Sequence, residues 1–122
     1  MNFQNLPFMS REHKDFFEYA MHEMGTAYSP NIVAIYLLSA SEDTRASFYK
    51  LVDLDGNFLG LPEEWRDMTA DPDTRRLMAL AANLAVGDGP YLDLSPAYLY
   101  SGPYAPILKA ATDCWYRNTH AM

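Results

Sequence analysis

Cysteine is the scarcest informative residue in this chain: Cys114 stands alone among 122 residues. No internal disulfide can form, and the composition fits a reducing compartment. Long apolar runs are missing too, none approaching the roughly 18 residues that a membrane span needs. The opening stretch MNFQNLPFMSREHK lacks a basic start followed by an apolar block, so it does not read as a secretory signal. Glycine-rich phosphate loops and G-x-S-x-G are absent, and His22-Glu23 does not continue into H-E-x-x-H. Positive charge is short: nine Lys and Arg face sixteen Asp and Glu, a net charge of −7. A protein that held nucleic acid by neutralising phosphates would carry the opposite sign. These absences point away from an enzyme. They predict a cytoplasmic protein with no cofactor, no metal, no membrane contact and no direct nucleic-acid contact.

What is present is hydrophobic and helical. Apolar residues make up 49% of the chain and aromatics 14%, enough to close one core. In DPDTRRLMALAANLAVGDG, Asp71 can accept free backbone N–H groups as N-cap, and Pro72 sits where its missing N–H costs nothing. Gly87 can take the left-handed conformation that ends a helix. Ser29-Pro30 and Ser95-Pro96 repeat the opening signal. A first helix runs from Ser10 to about Met24, with Phe16, Phe17, Ala20, Met21 and Met24 on one stripe. A second, NIVAIYLLSA, is apolar nearly all round and belongs in the centre. Ser41 or Asp43 caps a third helix carrying Ala46, Phe48, Tyr49, Leu51 and Val52. Pro62-Glu63-Glu64-Trp65 can open a short one, and residues 96–101 a further turn. The last helix runs from about Tyr104 to Arg117. The expectation is an all-α, compact single-domain bundle of five to six helices spanning 1–122, with a short irregular Pro/Tyr-rich segment. Residues 1–9 are expected to form a flexible or loosely packed N-terminus. Phe17, Ile35, Leu38, Phe48, Leu80, Leu84, Leu108 and Trp115 are expected in one core.

Candidate sites are few. Asp53-Leu54-Asp55-Gly56-Asn57 places glycine at the fourth position, where a calcium loop needs it at the sixth, so it reads as a turn. His13 and His22 are nine residues apart and face differently on a helix; both read as surface or half-buried. Cys114 falls on an inner helical face, where a thiol is inert. Between Asp53 and Asp73, seven acids face one base, Arg66, so nearly all the net charge sits in one segment. Glu63, Glu64, Trp65 and Asp67 within it make a candidate acidic platform with an aromatic anchor, suited to a basic protein surface. A second candidate, for an anionic small molecule, combines Arg45, Arg75 and Arg76 with Tyr98 and Tyr100 of the tyrosine-rich segment. Arg76, four residues before Leu80, is expected on the inner stripe, bridged to an acid such as Asp43 or Asp53.

In order and spacing the chain resembles an uncharacterised family of small helical proteins from Firmicutes bacteria and their phages and prophages. The residues carrying the likeness are Ser10-x-Glu12-His13-x-x-Phe16-Phe17, Ile35-Tyr36-Leu37-Leu38, Asp43-Thr44-Arg45 before Asp53, and Pro62-Glu63. The longest match is Arg76-Leu77-x-x-Leu80-Ala81-x-Asn83-Leu84-x-x-Gly87, followed by Tyr104-Ala105-Pro106 before the last helix. The resemblance implies a context, a phage or prophage gene acting in the cytoplasm of a bacterial host cell, and brings no catalytic residues. Two functions are expected from it and from the charge. One is a non-enzymatic protein that binds a bacterial host protein, as an inhibitor of a defence system. The alternative is an oligomeric sponge that sequesters a nucleotide or other small anionic signal.

Overall fold

A computed structural model describes residues 6–24, 29–52, 71–85 and 100–120. Regular structure among the described residues is helical, in six elements. These are α1 (Arg11–Met24), α2 (Ser29–Leu38), α3 (Glu42–Ala46), α4 (Phe48–Leu51), α5 (Pro72–Ala85) and α6 (Ala105–His120). The expected all-α bundle is what forms.

The uniformly apolar α2 is its axis. Every residue from Asn31 to Leu38 is buried, and α5, α6 and α1 pack around it. A helix apolar on all sides gains hydrophobic stabilisation only when neighbours cover all sides. Phe17 and Ala20 of α1, Leu77, Leu80 and Ala81 of α5, and Ile107, Leu108 and Ala111 of α6 supply that cover. Of the expected core, Phe17, Ile35, Leu38, Phe48, Leu80 and Leu108 are buried, while Leu84 and Trp115 are partly buried against the cluster. Leu6 is buried and Phe8 packs on the core. Both lie in the stretch expected to be loose, of which residues 1–5 fall outside the described set.

Helix ends follow the sequence signals closely. Asp71 Oδ1 accepts the Asp73 N–H at 3.1 Å, and its Oδ2 accepts the Thr74 hydroxyl at 2.8 Å. Ser41 caps α3: its Oγ accepts the Thr44 N–H at 3.0 Å while Thr44 Oγ1 accepts the Ser41 N–H at 3.2 Å. That reciprocal box uses Thr where Glu or Gln is usual. The single third helix expected from the sequence is two short ones. Ser47 leaves the helical path, with φ −100° and ψ 3°, and its neighbour segments restart at Phe48. A hydroxyl residue competes with the backbone for hydrogen bonds and is a weak place to carry a helix through. The Tyr104 carbonyl accepts from both Ile107 and Leu108 N–H at 2.9 Å, opening α6, and Pro106 falls in the first turn where no N–H is needed.

Candidate functional site

Three places gather polar or aromatic groups. The first lies at the buried C-terminal end of α2. His13 has no exposure at all, and this corrects the surface or half-buried reading of the sequence. Its Nδ1 accepts the Met9 N–H at 3.0 Å, so Nε2 carries the proton and donates to the Tyr36 carbonyl at 2.9 Å. The imidazole thereby satisfies one of the carbonyls that the end of α2 leaves over. The Tyr36 hydroxyl donates to the Pro7 carbonyl. The Phe8 ring stands edge-on to both His13 and Tyr36, with centroids 4.9 and 5.8 Å away. Burial holds the His13 pKa down at about 4, outweighing the lift from the Tyr36 carbonyl, and the positive charge of Arg45 lowers it further. Burial likewise pushes the Tyr36 phenol above its ordinary range. The arrangement locks residues 7–9 to α1 and α2. Its neutral imidazole, closed in on both nitrogens, is structural.

The second place is where the N-terminal ends of α3, α5 and α6 approach one another. Arg76 Nη1 donates to Asp73 Oδ1 at 2.7 Å, an ion pair one turn apart on the same helix and largely shielded from water. Arg76 is thus on the inner side as expected, and one partner the structure gives it is Asp73, since an arginine points back toward the start of its own helix. Asp53, one of the partners expected from sequence, lies outside the described residues. Gly102 sits on this pair. Its φ is +80°, and a Cβ there would come within 2.5 Å of Asp73 Oδ1 and 3.2 Å of Arg76 Nη1. Glycine is required both by the left-handed backbone and by the space. Two residues on, burial raises the Tyr104 phenol pKa. The charges of Asp71, Asp73 and Asp43 add to the rise and that of Arg45 opposes it. Arg45 Nη1 is already donating to the Ser39 carbonyl at 2.9 Å, at the negative end of α2.

Of the expected anion-binding set, then, Arg45 and Arg76 are brought to the same junction as the turn containing Tyr100 and Tyr104. Arg75 is exposed, Tyr100 is half-buried against the core, and Tyr98 lies outside the described residues. Among the described residues, the junction holds the carboxylates of Asp43, Asp71 and Asp73 against the guanidinium groups of Arg45 and Arg76. The acidic platform of Glu63, Glu64, Trp65 and Asp67 also lies outside the described residues. Among those described, no group of three or more His, Cys, Asp or Glu is arranged to hold a metal, and no helix is long and apolar enough to cross a membrane. Cys114 is buried on α6, as its helical position implies.

The third place was not singled out by the sequence. Tyr19 on α1 and Tyr49 on α4 are 54% and 47% exposed; burial raises the Tyr49 phenol pKa, and the nearby Tyr19 hydroxyl adds to the rise. The only hint in the sequence is that Tyr19 stands between Glu18 and the apolar stripe, out of phase with both.

No curated protein and no solved structure matches the chain. One family model does, described as a family of unknown function, DUF6075, and it covers residues 3–121. With all but the extreme ends matched, this chain belongs to the family DUF6075.

Proposed function

We propose that the chain is a non-enzymatic binding protein of phage or prophage type. It acts in the bacterial cytoplasm by engaging a basic surface on a host protein, and a defence system is the target it inhibits. One observation carries this reading: from Asp53 to Asp73, seven acids accompany Arg66 alone, with Trp65 and Met68 set among them. Asp71 and Asp73 serve the start of α5, while the other five acids, Asp53, Asp55, Glu63, Glu64 and Asp67, are like charges that repel one another. They raise the local potential that draws in a cationic surface, and Trp65 supplies an aromatic anchor once contact is made. Surfaces that normally hold nucleic acid have the matching sign. The experiment is affinity capture of host proteins by wild type and by Glu63→Lys, Glu64→Lys, Asp67→Lys, at rising salt. The reading requires an identified basic partner, lost in the triple variant and weakened as salt shortens the screening length. Capture unchanged by charge reversal contradicts it.

The anionic sponge, an oligomer closing Arg45, Arg75, Arg76, Tyr98 and Tyr100 around a nucleotide, draws on the meeting of Arg45 and Arg76 beside the Gly102 turn. It ranks second, because the three carboxylates at that junction oppose an anion. Calorimetric titration with nucleotides would raise it to first if binding disappeared in Arg45→Ala.

A further inference from the structure

Single aromatic side chains on a protein surface need no explanation. Tyr19 and Tyr49 form a pair, and the pair is anchored. Phe16 meets Phe48 edge-on at a centroid distance of 5.0 Å, and Phe48 meets Tyr49 edge-on at 5.2 Å. Phe48 has no exposure, so this ladder of rings runs from the core to the surface and ends in Tyr49. The edge-on contact with Phe48 steadies Tyr49, and Tyr19 stands three residues after Phe16, on the side of α1 that meets Phe48. An exposed ring steadied in this way loses little freedom when a partner arrives.

Charge around the pair tells what kind of partner fits. Glu23, one turn after Tyr19, is exposed and its charge acts on the Tyr49 hydroxyl. Asp15, one turn before Tyr19, is exposed and shares a loose, open ion pair with Arg11 at 3.7 Å. Lys50 is the basic neighbour on α4, and the chain passes from Val52 directly into the acidic segment that begins at Asp53. Aromatic faces bordered by carboxylates attract a cation twice over: through the ring quadrupole and through the opposite charge.

We infer that the Tyr19–Tyr49 pair, bordered by Glu23 and Asp15, is a binding site for an arginine or lysine side chain on a basic segment of a partner protein. The inference rests on reading the chain as a binder of basic surfaces, and it assigns the aromatic contact to α1 and α4. The probe is a short synthetic arginine–glycine peptide, titrated calorimetrically into the full chain at low salt, with a glutamate–glycine peptide as control. The arginine peptide should bind and the glutamate peptide should not. Tyr19→Ala with Tyr49→Ala should weaken binding about tenfold, as expected for losing two exposed cation–π contacts. Tyr19→Phe with Tyr49→Phe keeps both rings and should stay within about threefold of wild type, which separates loss of the site from loss of the fold. If Glu63→Lys, Glu64→Lys, Asp67→Lys abolishes binding while the alanine pair, still helical by circular dichroism, binds as wild type, the site inferred here is wrong and the acidic platform stands. If no variant matters, or the arginine peptide fails to bind, both readings fall.

Discussion

Lowering the pH should unstitch the chain at His13 before most of its carboxylates titrate. In the fold the imidazole is neutral, accepting at Nδ1 from Met9 and donating from Nε2 to Tyr36, and its pKa is about 4 against an ordinary 6.5. A cation at the C-terminal end of a helix usually gains up to about 2 kcal/mol from the helix dipole. Here burial outweighs that gain, and protonating Nδ1 would also set two N–H groups against each other. The unfolded chain therefore takes up the proton first as pH falls. The stabilisation is fully present above the unfolded value of 6.5 and is lost as pH drops through the folded value of about 4. The full difference is about 3 kcal/mol, of which about 2 kcal/mol should be gone at pH 5. Urea unfolding at pH 7 and pH 5 reads this out. His13→Gln supplies the control, because its amide can still donate to the Tyr36 carbonyl but does not titrate near neutrality. Between pH 7 and pH 5 wild type should lose about 2 kcal/mol more than the variant, all other groups being shared. Equal losses in the two proteins would refute the buried, neutral imidazole.

Three further outcomes follow from the packing. Leu80→Ala removes a side chain that is only 3% exposed and should cost about 2–5 kcal/mol in denaturant unfolding. Gly102→Ala forces a left-handed residue and pushes a methyl into the Asp73–Arg76 pair, so it should cost about 1–3 kcal/mol; a change under about 0.5 kcal/mol would contradict the geometry of that turn. Arg76→Met breaks a largely shielded ion pair and should lower stability by about 1–3 kcal/mol, visible as a reduced melting temperature.

The bundle was legible because its signals are local. Asp71-Pro72 and Ser41 sit where the structure uses them, and the all-apolar run from Ile32 to Leu38 could only be central. What escaped depends on contacts across the chain. His13 reads as surface or half-buried on its own helix, and only the approach of the Tyr36 carbonyl and of residues 7–9 turns it into a buried link. The sequence reading pairs Arg76 with Asp43 or Asp53 and passes over Asp73, three residues before it, and the Gly102 turn that rests on the Asp73–Arg76 pair comes from far along the chain. The Tyr19–Tyr49 pair depends on how α4 lies beside α1, and the break at Ser47 that positions α4 has no strong signature beyond a serine. Charge was legible as an amount and a place in the sequence, since net charge sums over composition without any fold.

The central claim, that this chain binds a basic protein surface through its acidic segment and its exposed tyrosines, is tested most directly by one amide-resolved NMR titration. The isotope-labelled full chain is titrated with the arginine–glycine peptide at low salt. Shift changes should gather at Tyr19, Glu23, Tyr49 and within 53–73, fade as salt is raised, and leave the buried α2 residues Ile35 to Leu38 still. Changes centred instead on the Gly102 turn, or none anywhere on the chain, would contradict the account.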